Sequence, residues 1–117
     1  MDKFTTAYLE AALWSSTDNS DESGGRPLDD NYGIEDIASE TLASILEDCK
    51  AFQEAHADEL GGELERAGHD FWLTRNHHGA GFFDGDWPDN VGERLTEASH
   101  AFGSVDLYIG DDGLIYS

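Results

Sequence analysis

Basic residues are what this chain has least of. Its 117 residues include two lysines, Lys3 and Lys50, and four arginines, against 26 carboxylates, for a formal net charge of -20. A field of that sign repels nucleic acid, anionic membrane and other polyanions, which excludes them as direct ligands. Cysteine is nearly absent. Cys49 alone permits neither an intrachain disulfide nor a thiolate metal cluster. No apolar run approaches the ~18 residues of a membrane span. The N-terminus has no basic segment followed by an apolar one, so no secretion signal is expected and a reducing cytoplasm is the expected setting. Catalytic signatures are missing too. No serine sits in a Gly-x-Ser-x-Gly elbow, and neither His-Glu-x-x-His nor His-x-His spacing occurs.

What is present suffices for one modest core. Apolar residues make up 38% and aromatics 11%, above the composition at which a charged chain stays disordered. A length of 117 residues predicts a single domain over 1–117. The acids are skewed, 15 Asp to 11 Glu, a balance that also fits a protein from a high-salt organism.

Periodicity places the elements. Phe4, Tyr8, Ala11 and Ala12 predict a first helix over Phe4–Trp14. Residues 15–33 then form a long acidic loop carrying Asp18, Asp21, Glu22, Asp29 and Asp30. Residues 34–38 fit a short turn of helix. Ser39 is a candidate N-cap for a long second helix whose apolar seam runs through Leu42, Ile45, Leu46, Cys49, Phe52 and His56. Glu40, Glu47, Asp48 and Glu54 fall on its outer face. Gly61-Gly62 interrupts it, and Gly68 ends a last turn.

Beyond Gly68 the period changes. His69–Arg75 and Gly81–Asp84 are rich in strand formers, and the turn residues between them predict a hairpin. Asp86 and Pro88 open a further helix through Val91, Leu95, Ala98 and Phe102, closed by Gly103. Val105–Ile109 and Leu114–Tyr116, joined by Gly110-Asp111-Asp112-Gly113, predict a second hairpin. The expected fold is α+β: two or three helices packed on a small antiparallel sheet made of two hairpins.

Two constellations carry candidate chemistry. His69, Asp70, His78 and Asp84 are of metal-ligating type, so a small metal-binding or metal-dependent enzyme module is one reading. Against it, His69 and Asp70 point to opposite faces of a strand, and polar turn residues explain the segment without a metal. Cys49 on an apolar seam reads as an inert packed thiol. Arg75 reads first as a structural ion pair or helix C-cap, and Trp72 and Trp87 read as core. No cofactor and no enzyme activity are expected.

The second constellation is the charge itself. Duplex DNA carries one charge per ~1.7 Å of axis, so twenty charges match about 34 Å of duplex. A compact domain with a radius of gyration near 13 Å has a comparable long dimension. Exposed carboxylates on one face would therefore suit the basic groove of a DNA-handling protein. The candidate residues are Asp18, Asp21, Glu22, Asp29, Asp30, Glu35, Asp36, Glu40, Glu47 and Asp48.

The segment Gly68-His69-Asp70-Phe71-Trp72-Leu73-Thr74-Arg75-Asn76-His77-His78-Gly79-Ala80-Gly81-Phe82 resembles one found in small acidic proteins of bacteriophages and prophages. The loop Pro27–Tyr32 and the ending Val105–Gly113 resemble theirs as well, so the likeness runs from about Leu9 to Tyr116. It implies a mobile-element source and no particular activity. As a class, small acidic phage proteins are similar to DNA mimics that block host defence. The resulting expectation is an anti-CRISPR-like inhibitor that occupies the basic nucleic-acid site of a CRISPR effector or restriction enzyme. A non-mimetic acidic accessory protein is the bland alternative.

Overall fold

In a computed structural model, residues 1–18, 26–78, 80–83 and 87–117 are described. Helix α1 spans Lys3–Ser15, with Asp2 as its N-cap accepting from the Thr5 amide at 2.8 Å. A two-residue antiparallel pair, β1 (Thr17–Asp18) and β2 (Arg26–Pro27), follows in the region expected to be loop. Two 3-10 turns, Leu28–Asp30 and Ile34–Asp36, lead into α2 (Ser39–Leu60), then come α3 (Leu64–Arg75) and α4 (Asp89–Ala101). The chain closes on the antiparallel pair β3 (Tyr108–Ile109) and β4 (Ile115–Tyr116). The Ala38 amide donates to the Ile115 carbonyl at 2.9 Å, tying this hairpin to the entry of α2.

The class is mixed α and β, but the helices dominate, and among the described residues the strands form only two-residue pairs. The main correction falls on His69–Arg75, expected as a strand and found as the second half of α3. Gly68 lies inside that helix instead of ending it. A Cβ there would overlap the Phe4 carbonyl, so glycine is what lets α3 press against the backbone of α1. Ala67, Gly68 and Phe71 form the contacting face, and the Asp70–Arg75 stretch is buried on every side. A helix buried all round loses the alternation of apolar and polar residues that marks an amphipathic one.

The predicted partner strand fails with it. Residues 81–83 form a turn, and Asp84 lies outside the described residues. Smaller corrections concern caps. Ala38, not Ser39, is the N-cap of α2 and has no side chain to offer, while Pro88 occupies that position on α4. Asp86, expected to cap α4, lies outside the described residues. Helix α2 ends where expected, at Gly61, whose φ of 57° is the left-handed C-cap conformation. Leu46, placed on the apolar seam, is 39% exposed.

The core is aromatic. Phe52 stacks on Phe71 at 4.2 Å between ring centroids, Phe4 and Phe82 flank Phe52 at 5.9 and 5.7 Å, and Tyr8 meets Trp72 edge-on at 5.4 Å. Cys49 packs among them with its thiol fully buried. Burial pushes its pKa up to about 12, so it stays a neutral thiol.

Candidate functional site

The outer surface of α2 presents Glu40, Glu47 and Glu54 at seven-residue intervals, all exposed. Two turns of helix advance about 10.5 Å, so the three carboxylates form a ridge along a helix about 33 Å long. Asp58 is exposed further on, beyond a break in the helix at His56 (φ -125°, ψ 19°). Glu35, on the turn before α2, is exposed as well. Lys50 is the one base on this helix, three residues after Glu47 and four before Glu54.

The seven candidate carboxylates whose side chains are described do not form one face. Glu35, Glu40 and Glu47 belong to α2 and its approach. Asp48 is turned inward, its Oδ2 accepting from Arg75 Nη1 at 3.0 Å. Asp36 accepts from the Gly33 amide at 2.8 Å and closes its own turn. Asp29 and Asp30 are exposed, but Asp29 lies against α1 and α3. There, with Glu10, Trp14, Glu65, Arg66 and His69, it lines a cleft of about 670 Å³. Of Asp18 the backbone alone is described, and Asp21 and Glu22 lie outside the described residues. Glu54 and Asp58 were missed as candidates, although the seven-residue spacing of Glu40, Glu47 and Glu54 was legible. Exposed carboxylates also occur on α1 (Glu10), α3 (Glu65), α4 (Glu93, Glu97) and the last hairpin (Asp111, Asp112).

At its C-terminal end α2 is clamped to its neighbours. Glu59 takes His56 Nδ1 at 2.8 Å on one oxygen and Arg94 Nε at 2.6 Å on the other. These hydrogen bonds, His56 first and then Arg94, hold the Glu59 carboxyl below its ordinary pKa. On the last hairpin Tyr116 donates to Asp112 at 2.5 Å. That bond lowers the Asp112 pKa and pushes the phenol up to about 12.

The polar residues of α3 serve the fold. Arg75 is 2% exposed and spans four partners: Tyr8 Oη, Asp48, and the Phe102 and Gly103 carbonyls at the end of α4. Its guanidinium also lies 5.3 Å from the Phe71 ring centroid and 5.7 Å from that of Phe102. It is both a buried ion pair and a cap on the carboxyl end of α4. Asp70 accepts from the Trp87 indole at 2.8 Å, and Thr74 Oγ1 from the Phe82 amide at 3.1 Å. Asn76 donates to the Trp72 carbonyl and accepts from the Val105 amide. Trp72 donates to Ser15 Oγ at 2.6 Å. The motif from Gly68 to Asn76 thus has a structural task at nearly every position.

The metal constellation does not assemble among the described residues. No three potential ligands come together there. His69 lies 3.7 Å from Asp70, whose carboxylate serves Trp87. His78 packs near Trp72 at 6.5 Å, and Asp84 lies outside the described residues. Among the described residues no serine or cysteine is hydrogen-bonded to a histidine. A cleft of about 510 Å³ lies between Trp72, Asn76, His78, Ser104, Asp106 and Tyr108. No described helix is long and apolar enough to cross a membrane. Set against known families, curated proteins and solved structures, the chain finds no match.

Proposed function

We propose that the protein is a phage-type inhibitor that binds the basic nucleic-acid site of a host defence complex, a CRISPR effector or restriction enzyme, and blocks DNA binding. It acts in the host cytoplasm by occupying the site stoichiometrically, without catalysis or cofactor. The observation that carries this reading is the α2 ridge. Glu40, Glu47 and Glu54 repeat every ~10.5 Å along one side of the helix, an extended row of exposed carboxylates that the Lys and Arg side chains of a nucleic-acid groove would meet. The longest dimension of the molecule, 44 Å, exceeds the ~34 Å of duplex that twenty charges represent.

The test is competition between the protein and duplex DNA for a CRISPR effector or restriction enzyme across a salt series. Binding should exclude DNA and weaken steadily as salt rises. The triple variant E40Q/E47Q/E54Q should bind about tenfold more weakly or worse, the loss being mainly in association rate. Affinity indifferent to salt, or a complex that still takes up DNA, overturns the proposal. A second reading, general acidity without mimicry, is favoured by the carboxylates on α1, α3, α4 and the last hairpin and by Lys50 within the ridge. It predicts that the triple variant behaves like wild type.

A further inference from the structure

On the face formed by α4 and the turn after α3, an open cleft of about 380 Å³ combines aromatic walls with two carboxylates. Its floor is backed by Phe82 and Trp87, which meet edge to face at 5.4 Å and are almost wholly buried, at 1% and 7% exposed. Phe83 stands at its edge, 51% exposed. Gly92 brings α4 close, since a Cβ there would lie 2.6 Å from the Phe82 carbonyl oxygen. Glu93 and Glu97, one helical turn apart, are both exposed at the rim. Arg94, between them in sequence, turns away to Glu59. Neither rim carboxylate is ion-paired with a described residue. Like charges at this spacing repel by a few tenths of a kcal/mol, which a cation between them would relieve.

The floor is fixed before any ligand arrives. The Trp87 indole is held by Asp70, and the Phe82 amide by Thr74. The exposed Phe83 ring beside a pair of carboxylates matches one side chain best. A guanidinium stacks flat on rings and takes two carboxylate oxygens at once, whereas an ammonium does neither as well. The molecule already uses this chemistry internally, where Arg75 lies over Phe71 and Phe102 while pairing with Asp48.

We propose that the cleft between Phe83, Trp87, Glu93 and Glu97 receives an arginine side chain from the surface of a partner protein. The net charge of -20 draws basic partners in, and the cleft supplies a specific anchor point. The proposal stands apart from the α2 ridge and does not require the partner to handle nucleic acid.

The test titrates the protein with acetyl-Gly-Arg-Gly-amide at 0.15 M salt (about 8 Å of screening length) and follows the Trp87 indole and residues 92–97 by NMR. Saturable shifts confined to these groups are expected. The lysine peptide should bind several-fold more weakly, and the uncharged citrulline peptide should not bind. E93Q/E97Q should weaken the arginine peptide about tenfold, and E40Q/E47Q should leave it unchanged. Shifts spread without saturation over the exposed acids, equal binding of citrulline or leucine peptides, or an unaffected E93Q/E97Q variant would overturn the proposal. Tighter binding of free arginine than of the peptide would mark a small-molecule site and overturn the assignment to a partner protein.

Discussion

Helices α2 and α3 use polar residues in opposite ways. Eight of the twelve residues of α3 are buried, among them Asp70, Thr74 and Arg75, and each of these polar side chains meets a partner from another part of the chain. In α2 only five of twenty-two are buried, and most of its carboxylates face outward. Polar groups in α3 are determined by their neighbours, so altering one leaves others stranded. Those on the α2 ridge are free of the fold and available for encounters. A small domain with few strands thus puts its hydrogen-bonding precision into one central helix and its charge on another.

The sharpest way to break this contrast is Arg75→Met. It removes a buried cation that serves Tyr8, Asp48 and two carbonyls, and leaves Asp48 without its base. A loss of about 3–5 kcal/mol in urea unfolding is expected. A loss under about 1 kcal/mol, as at an ordinary surface position, would deny α3 its central role. Gly68→Ala comes next. The added methyl drives α3 off the Phe4 carbonyl, with an expected cost of about 1–3 kcal/mol by the same measurement. An unchanged midpoint would mean that the two helices do not press together there.

The smallest effect belongs to α2. Glu59→Gln weakens the clamp to His56 and Arg94, a partly exposed pair worth at most about 1 kcal/mol. Its pH dependence has a definite sign. The folded carboxyl titrates below its ordinary value of 4.5, so its contribution is fully present above that pH and fades as pH falls through the lowered value. Wild type and E59Q should therefore differ near neutrality and converge in acid, as followed by thermal unfolding at several pH values. A gap that persists or widens below pH 4.5 would remove Glu59 from the account.

Amphipathic elements were legible in the residues themselves. Helices α1, α2 and α4 each bury one stripe, so Phe4/Tyr8, Ile45/Cys49/Phe52 and Val91/Leu95/Ala98 stand out at helical spacing. The C-terminal hairpin was legible from its Asp-Asp-Gly turn. Helix α3 was not, because Phe71-Trp72-Leu73 is apolar on consecutive positions, which a strand buried on both faces would also show. Gly68 compounded the error: a residue chosen for close approach looks the same in one dimension as one chosen to end a helix. The α2 carboxylates could be placed on a common face from spacing alone. That Asp48 turns inward to Arg75, and that Asp29 sits against α1, depends on how distant segments pack.

The single thiol has a practical consequence. Cys49 is shut behind α2 with its pKa near 12, so at neutral pH an alkylating reagent finds almost no reactive sulfur while the helix stays docked. Each label then records one opening of the fold, local or global, that exposes Cys49. The chain carries its own chemical clock: the rate of alkylation times that opening, with no engineered probe required.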